Sequence, residues 1–304
     1  MILFAEIILT NRYPENTMNL VVSFAPGGAT DITARIVAAA MSKNIGQQIV
    51  VENRPGAGGA VAAGIVRANK PNGYTLMLTS SVYVVTPSLK KPSPYDPLKD
   101  FIPICEIGDA PNVIVVKADS PIKNLNDLIM MARKDPKLVS YGSPGPGTTP
   151  HLAGEVLKIR ENIMMTHIPY KGAGPAMIDL VGGQYQFGFA GMQGSQVLVR
   201  AGKLRALAVT TPKRVGVLPE VPTYAEQGYP QVVTTAWYGL SAPAKTPAAI
   251  VARMNTVIVN TLASAAVRER IASFALDPAG NTPAEFTSFI KADLAKWGEA
   301  VKVA

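Results

Sequence analysis

The sequence predicts an α/β protein of two lobes, joined by two strand-like crossings that would act as a hinge. Three observations predict it: a length of 304 residues, alternating apolar runs and helical periods, and a C-terminal stretch whose pattern predicts only helices. A chain of this length exceeds one ordinary core and suits two units of about 100–200 residues each. Strands that alternate with helices favour parallel sheets covered by helices.

The first α/β stretch opens with an apolar, β-branched run at 18–25 that ends at a Pro-Gly-Gly turn, which is typical of a buried strand. Thr30 and Asp31 then precede a helical period and mark the start of a helix. Further along, the pattern predicts a strand at 48–52, a helix at 60–68 and a strand at 74–79.

The second stretch repeats this alternation and ends in a Pro-rich connection at 219–230. A strand at 234–242 follows the connection, and only helices are predicted from Pro247 onwards. The elements predicted between these landmarks are strands at 113–116, 139–141, 165–169, 185–190 and 204–210, and helices at 125–134, 151–158, 173–181 and 193–200.

A helical tail has no sheet of its own, so we expect it to return to the first stretch. The first lobe would then comprise residues 13–105 and 238–304, and the second lobe residues 106–237, with a ligand cleft between them. The two crossings would lie at 101–116 and 232–243, and paired strands that cross between lobes form a hinge. The short apolar segment 1–12 is interpreted as a leader or a cloning remnant.

Charge and composition exclude several classes of function. The formal net charge is +8, but the longest basic run is Lys90-Lys91, so we expect no nucleic-acid binding. A diffuse positive field attracts small anions instead. One cysteine, Cys105, excludes an intrachain disulfide, and the two histidines have no metal-ligand spacing, so neither a metal nor a cofactor is expected.

A glycine-rich loop at 24–31 (FAPGGATD) ends a predicted strand and opens a predicted helix. Glycine lets the backbone approach a ligand, and the free N–H groups at a helix start favour an anion. Asp31 is itself an anion, so we expect it to cap the helix or order the loop. The competing interpretation is a tight turn that requires glycine for its backbone alone.

A second glycine-rich loop at 142–151 (GSPGPGTTPH) has the same placement and adds hydroxyl donors from Ser143, Thr148 and Thr149. Facing the first loop across a cleft, it could hold one end of a small diacid while the first loop holds the other. His151 is interpreted as a helix-start or core residue rather than a base.

The motifs expected of an enzyme are missing. The loop at 53–59 resembles a dinucleotide fingerprint, but no acidic residue ends the next predicted strand. Ser80, Ser143 and Ser195 lack the G-x-S-x-G context, and carboxylates are sparse in the glycine-rich loops. Lys171 is open to two interpretations, anion attraction or plain solvation, and the pair at 237–238 is interpreted as buried aromatics or a cleft wall.

Eight ordered motifs together resemble the Bug family, the extracytoplasmic solute receptors of tripartite tricarboxylate transporters. The resemblance runs from about Tyr13 to the end of the chain. The motifs stand at 24–31 (FAPGGATD), 52–59 (ENRPGAGG), 71–76 (PNGYTL), 142–152 (GSPGPGTTPHL), 167–175 (HIPYKGAGP), 202–209 (GKLRALAV), 218–228 (LPEVPTYAEQG) and 237–247 (WYGLSAPAKTP).

The resemblance implies a type II periplasmic binding protein fold that closes around a small carboxylate or dicarboxylate and delivers it to membrane transporter subunits. It also implies a periplasmic location and a monomer without catalytic activity. A ligand-sensing receptor subunit of the same fold is the main alternative, and a cleft hydrolase is a weaker one. The ligand-binding residues that it implies are Ala25, Gly27, Gly28, Thr30, Asp31, Thr79, Ser80, Ser143, Gly147, Thr148, Thr149, His151, Gly172, Ala190, Gly191 and Gln193.

Overall fold

The structure is a computed structural model that describes residues 13–135, 138–229 and 234–303. The interpretation of segment 1–12, and the start of the second crossing at 232–233, lie outside the described residues. Ten strands are present in the described part: β1 (Met18–Val22), β2 (Ile49–Asn53), β3 (Thr75–Ser80), β4 (Phe101–Lys117), β5 (Ser140–Ser143), β6 (Thr166–Pro169), β7 (Phe187–Gly191), β8 (Leu204–Val209), β9 (Thr235–Pro243) and β10 (Asp277–Pro278).

The helices cover the faces of these strands, and three of them have the bounds that the sequence predicts: 60–68, 125–134 and 173–181. The α-helices of the described residues are α1 (Ala29–Ile45), α2 (Ala60–Ala68), α3 (Val82–Leu89), α4 (Leu125–Lys134), α5 (Thr149–Glu161), α6 (Ala173–Val181), α7 (Met192–Arg200), α8 (Ala248–Ala263), α9 (Ala265–Ala272) and α10 (Pro283–Val303).

The strands follow the spatial order β2-β1-β3-β9-β4-β7-β5-β6, and β8 and β10 also pair with β4. The long strand β4 connects two halves of this arrangement. Its first part, Phe101 to Pro111, pairs antiparallel with β9, and its last part, Asn112 to Lys117, pairs with β7 and β8. One continuous strand therefore runs through both halves of the sheet.

The prediction of parallel sheets is correct for β1–β3 and for β5–β7, whose neighbours are joined by helices. It is wrong for β4, β8, β9 and β10, which pair antiparallel. The prediction of a purely helical tail is also wrong, because β10 pairs Asp277 with Asp109. A two-residue strand is too short to produce a period in the sequence.

Helix α3 was not predicted from the sequence. It contains Pro87, a residue that normally breaks a helix. Pro87 has no N–H to donate to the Tyr83 carbonyl one turn earlier. The Tyr95 hydroxyl donates to that carbonyl instead, at 2.9 Å. A tertiary hydrogen bond thus satisfies the acceptor that proline leaves unpaired.

The C-terminal helices lie on the first half of the sheet. Asn44 of α1 donates to Thr261 of α8 at 2.7 Å. The Trp237 indole donates to Asp293 of α10 at 2.8 Å, and its ring packs edge-on against Phe286. Helix α10 also packs on α3 and β4. These contacts bury the apolar face of the tail.

Buried apolar residues form separate clusters on the two halves. Two clusters draw on residues 13–110 and 236–290, and two draw on residues 113–224.

Within the described residues, no single helix is both long and apolar enough to cross a membrane. Only the bent pair α8 and α9, taken together, has the length and apolar composition of a membrane span.

Candidate functional site

The first glycine-rich loop connects β1 to α1, and its conformation depends on Asp31. The Asp31 carboxylate accepts hydrogen bonds from the Gly27 N–H at 3.0 Å, from Arg35 Nε at 3.1 Å and from Asn53 Nδ2 at 2.9 Å. Burial acts to raise the pKa of Asp31, but these donors and the Arg35 charge hold it below its usual value. Of the two roles predicted for Asp31, the structure shows the ordering of the loop, whereas the N-cap of α1 is Gly28.

Gly27 has φ +85°, a backbone conformation that favours glycine, whereas Gly28 has φ −89° and precedes the first residue of α1. The loop therefore turns at Gly27 and presents the N-terminus of α1, with Gly28, Ala29 and Thr30, to the interior.

The second glycine-rich loop connects β5 to α5 and is held by its own hydroxyls. Thr148 caps α5: its Oγ1 accepts from the His151 N–H at 3.3 Å and donates to the Gly145 carbonyl at 2.7 Å. Ser143 Oγ accepts from the Gly145 N–H at 3.2 Å and bonds His167 Nε2 at 2.7 Å. Both hydroxyls thus order the loop itself.

The two loops meet at one cavity of about 40 Å³, which we call the inner cavity. It lies between Gly28 and Thr30 on one side and Thr148 and Thr149 on the other. The six sequence-predicted residues that line it are Gly28, Thr30, Ser80, Thr148, Thr149 and Gly191. Among the described residues that line it, none carries a charged side chain.

Five helices begin at the inner cavity. The lining includes Ala29, Val82, Thr149 and Ala173, which are the first residues of α1, α3, α5 and α6, and Gly191, which directly precedes α7. Each helix start carries a partial positive charge and backbone N–H groups that lack an intrahelical acceptor. This arrangement is suited to an anion that has no cationic side chain beside it.

Asn112 is a lining residue that the sequence analysis missed. It is fully buried on β4, and its Nδ2 donates to Thr149 Oγ1 at 3.0 Å and to Thr234 Oγ1 at 3.2 Å. Its backbone N–H donates to Thr210 Oγ1 at 3.1 Å. The sequence signal that could have identified Asn112 is its position as one amide side chain inside the apolar run 110–116. A buried amide there requires hydrogen-bond partners.

Tyr238 lines the inner cavity and Trp237 packs against α10, so both interpretations of this aromatic pair hold, one for each residue. The two rings have different surroundings because neighbouring residues of a strand face opposite sides of the sheet.

Two imidazoles lie behind the second loop. The rings of His151 and His167 are 4.3 Å apart between centroids. Burial lowers the pKa of both imidazoles, and it is the main reason that the pKa of His167 falls to about 4. Both rings are therefore neutral at neutral pH. The His151 Nδ1 accepts from the Gly147 N–H at 3.3 Å. His151 thus supports the loop, as expected of a helix-start residue.

A larger space of about 510 Å³ adjoins the inner cavity, with Phe24 and Pro144 lining both. We call it the outer chamber; His151 lines it, together with Gly56–Gly59, Leu89, Lys90, Tyr170 and Lys171.

The remaining predicted residues line neither of these two spaces. Ala25 donates its N–H to the Lys171 carbonyl at 2.9 Å, beside Gly172. The others in this group are Gly27, Asp31, Thr79, Ser143, Gly147, Ala190 and Gln193. Within the described residues, no group of three or more His, Cys, Asp or Glu side chains is arranged to hold a metal ion.

Sequence comparison identifies relatives over nearly the whole chain. The sequence profile of the tripartite tricarboxylate transporter family receptor, TctC, matches residues 33–304. The protein BugT of Bordetella pertussis is 35% identical over 297 residues, which is 97% of this chain and 91% of BugT.

Comparison with solved structures also identifies relatives over nearly the whole chain. The periplasmic binding protein BugD has a TM-score of 0.92 at 34% identity, covering 95% of this chain and 98% of BugD. An R. palustris protein solved with adipate has a TM-score of 0.91 at 35% identity, covering 95% of this chain and 97% of that one. The chain therefore belongs to the TctC, or Bug, family of non-enzymatic solute-binding receptors, and it has their periplasmic binding protein fold.

Proposed function

We propose that this protein binds a small carboxylate in the cleft between two lobes, with one carboxylate group in the inner cavity. The observation that carries the proposal is the convergence of five helix N-termini on a cavity whose described lining has no charged side chain. Main-chain N–H groups at helix starts stabilise an anion without a paired cation. The relative that was solved with adipate supports a carboxylate ligand.

The proposed lobes are residues 13–105 with 238–304, and residues 106–237. The separate apolar clusters and the packing of α8 and α10 on the first half support this division. The strands β4 and β9 pair along residues 101–111 and 235–243 and would serve as the hinge.

The proposed site comprises both glycine-rich loops, but their roles differ from those in the diacid hypothesis. That hypothesis placed each loop at a different end of the ligand. Both loops line the same inner cavity. We therefore propose that Gly28, Thr30, Thr148 and Thr149 surround one carboxylate together.

The proposed partner is the membrane part of a tripartite transporter, reached from the periplasm. Family membership supports both statements. A ligand-sensing subunit would use the same cleft, and only identification of the membrane partner separates the two. The Ser143–His167 pair does not favour a hydrolase, because Ser143 is fully buried and lines neither space.

Isothermal titration calorimetry with adipate tests the proposal. We expect micromolar binding, about 8 kcal/mol, from two helix-start loops and a few charge-assisted hydrogen bonds. Replacing Thr148 and Thr149 together by valine should weaken it more than Lys171→Met, because the loop loses its cap. Unchanged binding by the double variant, or turnover of the acid by the wild-type protein, would contradict the proposal.

A further inference from the structure

The inner cavity is large enough for one carboxylate group and little more. A water molecule needs about 10–15 Å³ of such space, so about 40 Å³ corresponds to about three waters, or the three heavy atoms of a carboxylate. The rest of a larger ligand must therefore lie outside this cavity. The outer chamber is the adjoining space, and it is more than ten times as large.

The walls of the outer chamber are suited to an alkyl chain or another apolar body. Leu89, Pro169 and Tyr170 contribute apolar surface. The Tyr170 hydroxyl donates to Asp179 at 2.7 Å, which fixes the ring in place. The turn Gly56–Gly59 also lines the chamber, and Lys90 Nζ donates to the Ala57 carbonyl of this turn at 2.8 Å.

The charged side chains of this chamber have one sign. Lys90 and Lys171 line it, both exposed to solvent, and none of its described lining residues is acidic. The neutral His151 imidazole adds a polar group without charge. The inner cavity thus offers backbone donors for one carboxylate, whereas the outer chamber offers apolar walls and two ammonium groups.

We propose that the outer chamber is a specificity subsite, in which Lys90 and Lys171 select ligands with a second carboxylate at the far end of a flexible chain. This inference rests on the proposed function, because it takes the first carboxylate to lie in the inner cavity. The ligand class is then a dicarboxylate whose chain spans from one space to the other. A monocarboxylate of equal length contacts the same walls but brings no second negative charge to Lys90 and Lys171.

Calorimetry with matched acids tests this subsite. The series is succinate, adipate and suberate, each compared with the monocarboxylate of the same chain length, and the variants are Lys90→Met, Lys171→Met and their double. Each lysine variant should weaken adipate by about two- to tenfold and hexanoate by less than twofold, since exposed ion pairs contribute modestly. Lys134→Met, an exposed lysine of α4, is the control and should change neither acid.

A second variant tests the walls without changing charge. Leu89→Trp fills part of the outer chamber, so suberate should lose more affinity than succinate. The subsite is wrong if the lysine variants weaken both acids of a pair equally, or if Leu89→Trp affects all chain lengths alike. If no acid of either series binds the wild-type protein, the proposed function itself is wrong, which is a different result.

Discussion

Single residues shape the inner cavity mainly through their backbone and through hydrogen bonds within the loops. Asp31 and Thr148 each hold a glycine-rich loop in place, with their side-chain oxygens bonded to nearby backbone N–H groups. Such local bonds are typical of caps and turns. The ligand is then left with the helix starts as its main donors, and substitutions that add volume there should act strongly.

Gly28→Val should abolish carboxylate binding while the protein still folds. A Cβ at position 28 would lie 3.3 Å from both the Cβ and the N of Ala173. Because Gly28 and Ala173 both line the inner cavity, we expect the larger valine side chain to take up space there. We expect at least a tenfold loss of affinity, about 1.4 kcal/mol, by calorimetry. Gly64→Val is the control, because nothing lies within 4 Å of a Cβ there. Wild-type affinity in a folded Gly28→Val protein would place the ligand elsewhere.

Asn112→Ala should reduce both stability and affinity. It removes the donor to Thr149 and Thr234 and leaves the buried Thr149 hydroxyl without its partner, which costs about 1–3 kcal/mol in the free energy of unfolding. Affinity should fall as well, because Thr149 lines the inner cavity. Asn255→Ala is the matched control: Asn255 donates to the Ile104 and Asn281 carbonyls, and it does not line either space. Equal affinities of the two variants would show that Asn112 has only a structural role.

Among the elements, β4 is the strand that pairs with strands of both halves of the sheet. Its register with β9 shifts twice, between Pro103 and Cys105 and between Glu106 and Gly108. Gly108 has φ +154°, and a Cβ there would lie 2.0 Å from the Asp277 carbonyl oxygen of β10. Irregular pairing of this kind bends a strand and increases its twist.

Glu106 on this strand should make stability depend on pH. Its burial, followed by the negative charge of Asp109, raises its pKa from 4.5 to about 7. The folded state therefore holds the proton more tightly than the unfolded state. The resulting stabilisation is complete below about pH 4.5 and is lost as the pH rises through about 7.

Glu106→Gln should flatten this dependence. The amide is neutral at every pH and can still accept from Asn281, which donates to Glu106 at 2.9 Å. Thermal unfolding between pH 5 and pH 8 should show the wild-type Tm falling more steeply than that of the variant. Parallel Tm profiles would mean that Glu106 does not titrate in this range.

At the scale of the whole molecule, the two halves touch through glycines of the second half. A Cβ on Gly174 would lie 2.2 Å from the Pro26 carbonyl oxygen, and one on Gly172 would lie 2.9 Å from the Ala25 nitrogen. Here the Ala25 N–H donates to the Lys171 carbonyl at 2.9 Å. The arrangement seen in this structure therefore needs small residues where the first loop meets α6.

Gly174→Ala should hold the halves apart and weaken ligand binding. An added methyl group cannot stay 2.2 Å from a backbone oxygen, so the contact must open. We expect at least a tenfold loss of affinity, and a radius of gyration by small-angle X-ray scattering that stays larger than that of the wild-type protein with adipate. Gly182→Ala, at the other end of α6, is the control, because its nearest neighbour would be 3.4 Å away. Identical scattering of both variants would contradict this role of Gly174.

The sequence by itself determined most elements, both glycine-rich loops and the role of Asp31. Each of these depends on neighbours along the chain: a period of 2 or 3.6 residues, a turn dipeptide, or a cap within four residues. The residue-level roles at the proposed site stay predictions. The carboxylate hypothesis also drew on the ordered motifs of the family, which the comparisons confirm.

Only the tertiary structure decided that five helices begin at one cavity, that both loops line it together, and that Asn112 belongs to it. The same holds for α3, whose Pro87 is tolerated because Tyr95 donates to the carbonyl left unpaired. These features arise from contacts between residues far apart in the chain, such as Ala25 with Lys171. The local sequence pattern does not indicate these contacts, because their free energy depends on which elements meet after folding.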